Sequence, residues 1–196
     1  MTGLLAVLLA YLIGAIPFGF LLVKLTTGKD VRASGSGNIG ATNVLRTSGR
    51  GAGIATLLLD IVKGFGAVWL AAELTNDSTF WTSAAALAVM AGHAYPVFLK
   101  FKGGKAVASF VGAFAYLTPI PLLAVALLFF LVVAGTRYIS AGSIVGAASF
   151  PLGVWLILHP PVEILLASLI AGAFIIYRHK SNIQRIHEGT ENVFRI

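Results

Sequence analysis

Apolar runs of membrane-spanning length follow one another along almost the whole chain, and that pattern restricts the fold more than any motif. A helix that crosses a bilayer needs about 20 mostly apolar residues. Such runs occupy residues 3–23, 53–72, 80–99, 106–135, 141–158 and 162–177. The run at 106–135 is 30 residues long, too long for one untilted crossing, and Pro119 and Pro121 divide it. Proline removes a helix donor and clashes with the preceding turn. Seven spans result, the fourth of them unusually short. Only 11% of the 196 residues are charged, against about a quarter in an average soluble domain. So few charges cannot cover a soluble globule, and the pattern excludes a disordered chain and a coiled coil. The expectation is an all-α polytopic membrane protein forming one domain over 1–196. The first run follows no Lys or Arg and precedes no clean cleavage site, so it reads as a span and not as a signal peptide.

Charge tests this parsing. Every one of the 14 Lys and Arg residues except Lys63 falls within 24–52, 100–105, 136–140 or 178–196. The intervening segments around 73–77 and 159–163 carry acids and no Lys or Arg. Seven spans put all four basic segments on one side, which the positive-inside rule assigns to the cytoplasm, with the N-terminus outside. Trp69, Trp81 and Trp155 then lie near outer ends, where amphipathic rings settle. The net charge of +7 is accordingly loop charge, and no nucleic-acid partner is expected. There is no cysteine, which excludes a disulfide scaffold, a thiolate metal site and a cysteine nucleophile.

The basic segments are richer in specific polar residues than connectors need. In the first, Arg32 and Arg46 bracket Gly35, Ser36, Gly37, Asn38, Gly40, Thr42 and Asn43. Glycine allows backbone conformations in which consecutive N–H groups turn to one side and nest an anion. Ser36, Asn38, Thr42 and Asn43 add side-chain donors, and Arg46 can grip phosphate through two nitrogens. Residues 35–40 spell G-x-G-x-x-G, but no βαβ unit surrounds them, so no dinucleotide site is read there. The plain alternative is a flexible turn, which would not need so many donors.

The second segment ends Phe101-Lys102-Gly103-Gly104-Lys105. Two glycines and a lysine at a helix start suit phosphate. Leu99 and Ala106 stand where a Walker motif has glycine and Ser/Thr, so nucleotide hydrolysis is disfavoured. Lys100 and Lys102 read as topology charge. His93 alone on an apolar helix end is more often a hydrogen-bonded structural residue than a ligand. Asp60 and Lys63 share one helix face inside a span and can pair. They either underlie the site or orient spans. In the tail, His179 and Asn182 share a face if the last helix continues. His179 and His187 are too poorly placed for a metal site, and none is expected. No H-E-x-x-H, G-x-S-x-G or H-x-x-x-x-D occurs, so no dedicated strong base is apparent. Chemistry here should begin from an activated donor and rely on placement and charge.

The strings Ser36-Gly-Asn-x-Gly-Ala-Thr-Asn43, Gly92-His-x-x-Pro-Val-Phe followed by Phe-Lys-Gly-Gly-Lys105, and Arg178-His-x-x-Asn182 followed by Gly-Thr-Glu191 resemble the three cytoplasmic motifs of the acyl-phosphate:glycerol-3-phosphate acyltransferases, the PlsY family of bacterial membranes. The resemblance covers the whole chain. It implies seven spans in the bacterial inner membrane and no metal or other cofactor. The implied reaction moves a fatty acyl group from acyl phosphate to the 1-hydroxyl of glycerol 3-phosphate. It implies that Ser36, Asn38, Thr42, Asn43, Arg46 and Lys105 bind and polarise phosphate. It further implies that Gly103 and Gly104 let the backbone approach glycerol 3-phosphate, that His179 and Asn182 position the acceptor, and that Glu191 is structural. Gly37, Gly40, Lys63 and His93 are read beside these as substrate-binding, and Asp60 as structural. The partners are then the two phosphate substrates and the lipid bilayer. Oligomeric state stays open, a monomer included. The other class considered is a small transporter or flippase for an anionic phosphate compound. It needs a polar path between the two sides, whereas the polar residues here crowd one face.

Overall fold

The computed structural model describes residues 1–194. Arg195, counted above with the basic tail, lies outside the described residues. Among those described the chain is all-helical, with no strand. The helices are α1 Thr2–Ala15, α2 Phe18–Thr27, α3 Ala41–Ser48, α4 Arg50–Thr75, α5 Thr79–Ala94, α6 Val107–Leu117, α7 Pro119–Thr136, α8 Ile139–Leu158, α9 Val162–Arg178 and α10 Lys180–His187. By length and composition, five stretches can cross a membrane, counting Thr2–Thr27 as one. Joining α9 to α10 across their 54° bend gives a sixth.

Three boundaries differ from the sequence reading. The first apolar run is two helices, broken at Ile16 and Pro17. Pro17 has no N–H and drives the residue before it out of helical geometry, and Ile16 is extended at φ −64°, ψ 114°. The third run leaves the helix at Ala94, where Tyr95 and Pro96 follow. The last helix does not continue straight through His179, which sits at the bend between α9 and α10. The proline break at Thr118 falls where expected.

The chain forms two compact units, residues 1–116 and the remainder from Leu117. In the first, α1 and α5 run parallel at a separation only glycine permits. A Cβ on Gly14 would stand 2.2 Å from the Val89 carbonyl oxygen, and one on Gly92 2.1 Å from that of Tyr11. Small residues let helix backbones approach closely in lipid, where association depends on packing. The 26 residues of α4 reach about 39 Å. The 11 residues of α6 reach only about 16 Å, short of a hydrocarbon core of roughly 30 Å. Gly64, midway along α4, packs on Ser109 of α6, and Tyr116 at the far end of α6 donates to Asp77 at 3.1 Å. So α6 starts beside the middle of α4 and accompanies it towards the Asp77 end. This places the 103–105 segment near the level of Asp60, well inside α4.

In the second unit α7 and α8 form an antiparallel hairpin, with Gly142 against Phe129 and Gly146 against Val125. Helix α9 returns along α8, with Gly172 on the Ala147 carbonyl. The tail folds back to the α7–α8 turn, where the Phe194 N–H donates to the Arg137 carbonyl at 2.8 Å.

Candidate functional site

Three polar clusters lie where the sequence motifs fall, two in the first unit and one in the second. The first is the 31–46 loop with α3. Buried Val23, Val31, Ile39, Val44 and Leu99 form a small core beneath it, so the loop is a folded layer. Asp30 accepts from the Arg32 N–H at 2.9 Å and pairs with its guanidinium at 2.7 Å. That hydrogen bonding from Arg32 holds the Asp30 carboxyl below the usual carboxylate range. Arg32 also lies over the Phe20 ring. Gly35 and Gly37 adopt φ of +61° and +69°, the left-handed region that side chains resist.

Asn43 knits this loop together. Its Oδ1 accepts from the Ser36 N–H at 2.8 Å, and its Nδ2 points at the carbonyls of Val31, Ser34 and Asn38 at 3.2, 3.1 and 2.8 Å. Buried and bonded on both ends of its amide, Asn43 shapes the loop that carries Ser36, Asn38 and Thr42. Asn38 Oδ1 accepts from the Gly40 N–H at 2.8 Å, and Gly40 caps α3. Ser36 and Arg46 are exposed, and Asn38 and Thr42 half-buried. Thr42 and Arg46, four apart, share one face of α3. The first turn of α3 adds N–H groups and a positive dipole end.

The second cluster is built at the C-terminal end of α5. Here the chain turns back through 97–101 and lays Gly103 and Gly104 over the last carbonyls of the helix. Gly104 N–H donates to the His93 carbonyl at 3.0 Å and Gly103 N–H to that of Ala94 at 3.2 Å. These two N–H groups therefore cap the end of α5. Glycine is required for space: a Cβ on Gly103 would meet the His93 carbonyl oxygen at 2.2 Å, and one on Gly104 the His93 Nε2 at 2.0 Å. Lys105 follows, half-buried, ahead of Ala106 at φ +63°. Lys100 and Lys102 are exposed.

Beneath this segment, Lys63 Nζ lies 2.7 Å from Asp60 Oδ1 and donates to the Ile16 carbonyl at 2.9 Å. His93 Nδ1 faces the same Oδ1 at 3.6 Å. Asp60, Lys63 and His93 are 2%, 5% and 3% exposed. Lys63, read as substrate-binding, makes the ion pair with Asp60 that their spacing allowed, and His93 is buried beside it. The Ile16 carbonyl was missed; the signal was an Ile-Pro step inside an apolar run, where a helix break frees an acceptor.

The third cluster gathers the tail. Glu191 Oε1 accepts from Ser140 Oγ at 2.9 Å and Asn182 Nδ2 at 2.8 Å, and Oε2 from Arg185 Nε at 2.7 Å. Burial alone would raise this carboxyl; the bonds from Asn182, Ser140 and Arg185 outweigh it and hold Glu191 below the usual glutamate range. Ser140 and Arg185 were not read as its partners, because they lie 51 and 6 residues away and nothing local pairs them. His179 Nδ1 lies 2.8 Å from the Ile175 carbonyl. A carbonyl only accepts, so Nδ1 carries the proton and Nε2 is the basic nitrogen of the neutral ring.

The sequence matches the family described as glycerol-3-phosphate acyltransferase over residues 4–189. A glycerol-3-phosphate acyltransferase of Desulforamulus reducens is 47% identical over 191 residues, covering 97% of this chain and 94% of its own. That of Geobacter sulfurreducens is 48% identical over 186 residues, covering 95% and 94%. Two crystal structures of PlsY, an integral membrane glycerol 3-phosphate acyltransferase, resemble the fold. Its glycerol 3-phosphate form has a TM-score of 0.94 at 38% identity, covering 100% of this chain and 96% of that one. Its lysophosphatidic acid form has a TM-score of 0.91 at 36% identity with the same coverage.

Proposed function

The chain belongs to the glycerol-3-phosphate acyltransferase family, and from that premise we infer that it acylates glycerol 3-phosphate at a membrane. We propose that the donor is acyl phosphate and that the acyl group goes to the 1-hydroxyl. The products are then lysophosphatidic acid and inorganic phosphate. The observation that carries the mechanism is the folded 31–46 loop. It carries Ser36 and Asn38 ahead of α3, Thr42 in its first turn and Arg46 in its last, while Asn43 holds its backbone from inside.

Acyl phosphate is a mixed anhydride, so its carbonyl is activated before it binds, and no acyl-enzyme intermediate is needed. The acceptor oxygen attacks the carbonyl carbon, the bond from that carbon to the phosphate oxygen breaks, and phosphate departs. Ser36, Asn38, Thr42, Arg46 and Lys105 hold the phosphates and stabilise the charge that moves onto the leaving group. Gly37 and Gly40 shape the loop. His179 and Asn182 orient the acceptor, and Glu191 fixes Asn182. The hydroxyl proton passes to a substrate phosphate. The whole chain acts as one catalytic domain with seven spans, α6 being the short one. Its N-terminus is outside, in the bacterial inner membrane, with the motifs facing the cytoplasm; the one-sided basic charge supports this orientation. Its partners are the two substrates and the bilayer.

The test is product analysis with purified protein, acyl phosphate and labelled glycerol 3-phosphate, followed by the same assay on His179→Ala across pH. The expected result is lysophosphatidic acid with equimolar phosphate, and a lower rate in the variant with its pH profile unchanged. Loss of a single titration in kcat would make His179 the base. Uptake of label into vesicles without acylation would replace the enzyme reading with a transporter.

A further inference from the structure

Asp60, Lys63 and His93 form a buried polar group that the reaction as written does not use. A buried ion pair is poor support for stability, since well-packed apolar residues often do as well. Ionisable groups inside a span are costly and generally serve a purpose there. Their connections give that purpose. One carboxylate oxygen, Asp60 Oδ1, faces both Lys63 Nζ at 2.7 Å and His93 Nδ1 at 3.6 Å. Lys63 reaches on to the Ile16 carbonyl at the Pro17 break, 2.9 Å away. His93 reaches the other way. Its ring Nε2 would stand 2.0 Å from a Cβ on Gly104, and its own carbonyl accepts the Gly104 N–H at 3.0 Å. Thus α1, α4, α5 and the 103–105 segment are joined through three side chains.

We propose that Asp60, Lys63 and His93 are positioning residues, which set the height and angle of the Gly103-Gly104-Lys105 segment from beneath and so place the Lys105 ammonium. The proposal rests on the reading of Lys105 as a phosphate ligand. The Asp60 carboxylate lies 3.6 Å from the His93 Nδ1, beyond hydrogen-bond distance, and orients the ring through its charge. The ring edge supports Gly104, and Lys63 anchors Asp60 to the broken end of α1. None of the three touches substrate. The break at Pro17 acquires a use in this scheme: it takes the Ile16 carbonyl out of the helical ladder, so that it accepts Lys63 Nζ as well as the Phe18 N–H at 3.2 Å.

A double-mutant cycle tests this, with kcat/KM for glycerol 3-phosphate as the readout. The variants are Lys105→Ala, the neutral pair Asp60→Asn/Lys63→Gln, and the triple combination, each checked for thermal unfolding in detergent. The neutral pair leaves no lone buried charge, and His93→Gln is a second probe should the pair fail to fold. Positioning through Lys105 predicts about a tenfold loss from the pair or from His93→Gln in the native background, and less than about twofold once Lys105 is alanine, because coupled residues are non-additive. Equal losses in both backgrounds, or none in either, overturn the proposal while leaving the phosphate reading intact. Full activity of Lys105→Ala overturns both.

Discussion

The two glycine-containing loops of the first unit look alike in sequence and use glycine for different reasons. In the 31–46 loop, Gly35 and Gly37 supply left-handed backbone, and the loop's own side-chain amide, Asn43, satisfies its interior. Ser36 and Arg46 stand exposed on it, and Asn38 and Thr42 are half-buried. In the 93–105 loop, Gly103 and Gly104 supply absence of bulk, and their N–H groups close the end of α5. Lys105, the proposed phosphate ligand of that segment, follows them half-buried. A glycine-and-donor string thus does not say by itself whether its backbone donors are available.

The sharpest way to break this contrast is Gly104→Ala. The added methyl would collide with His93 Nε2, and displacement of Lys105 by an ångström is enough for a loss of about 100-fold in turnover. Wild-type rates in this variant would mean the segment is not tightly placed. Arg46→Ala and Lys105→Ala should each cost about 100-fold in kcat/KM, the scale for removing a donor that stabilises developing charge. Lys100→Ala, exposed in the same loop, should stay within about twofold. Similar modest effects from all three would contradict the separation of phosphate ligands from topology charge.

Smaller effects sharpen the other loop. Asn43→Ala should destabilise the protein by roughly 2–3 kcal/mol, since it strips hydrogen bonds from buried backbone groups, and should lower activity through loop disorder seen in amide exchange. Gly37→Ala meets open space, with no atom closer than 3.4 Å, so its penalty is backbone strain of about 1 kcal/mol. Asn tolerates left-handed φ, so Gly37→Asn should recover part of that loss. At Gly104 the same substitution should recover nothing. Rescue at both positions would erase the distinction between conformational and steric glycines.

The Glu191 tail lock should respond to pH. Its carboxyl is held below the ordinary glutamate value in the folded protein, so its contribution is full above that ordinary value. It is lost as pH falls through the lowered one. Protection factors of residues 180–194, corrected for the intrinsic pH dependence of amide exchange, should therefore fall on acidification towards and below the glutamate range. Glu191→Gln should show low protection already at neutral pH, with little further change.

Much of the architecture was legible because bilayer thickness imposes length and charge asymmetry imposes alternation. The motif residues of the three clusters were legible because polar groups stand out in so apolar a chain; Ile16, Ser140 and Arg185 were not. What escaped were long-range pairings. The contacts of Ser140 with Glu191 and of Lys63 with the Ile16 carbonyl join positions 51 and 47 residues apart, and no local periodicity encodes them. The hydrogen-bond partners of Asn43, Gly103 and Gly104 escaped for a related reason: a donor's direction depends on the backbone that neighbours impose. The first run hid its break because hydropathy averages over Pro17.

The donor is the centre of the functional account, since an activated acyl phosphate is what allows a site without a nucleophilic intermediate. The direct measurement offers the purified protein acyl phosphate, acyl-CoA and acyl carrier protein thioester of one chain length, each with labelled glycerol 3-phosphate. The account predicts lysophosphatidic acid from acyl phosphate alone, with one phosphate released per acyl group transferred. Comparable product from either thioester, or none from acyl phosphate, would contradict it.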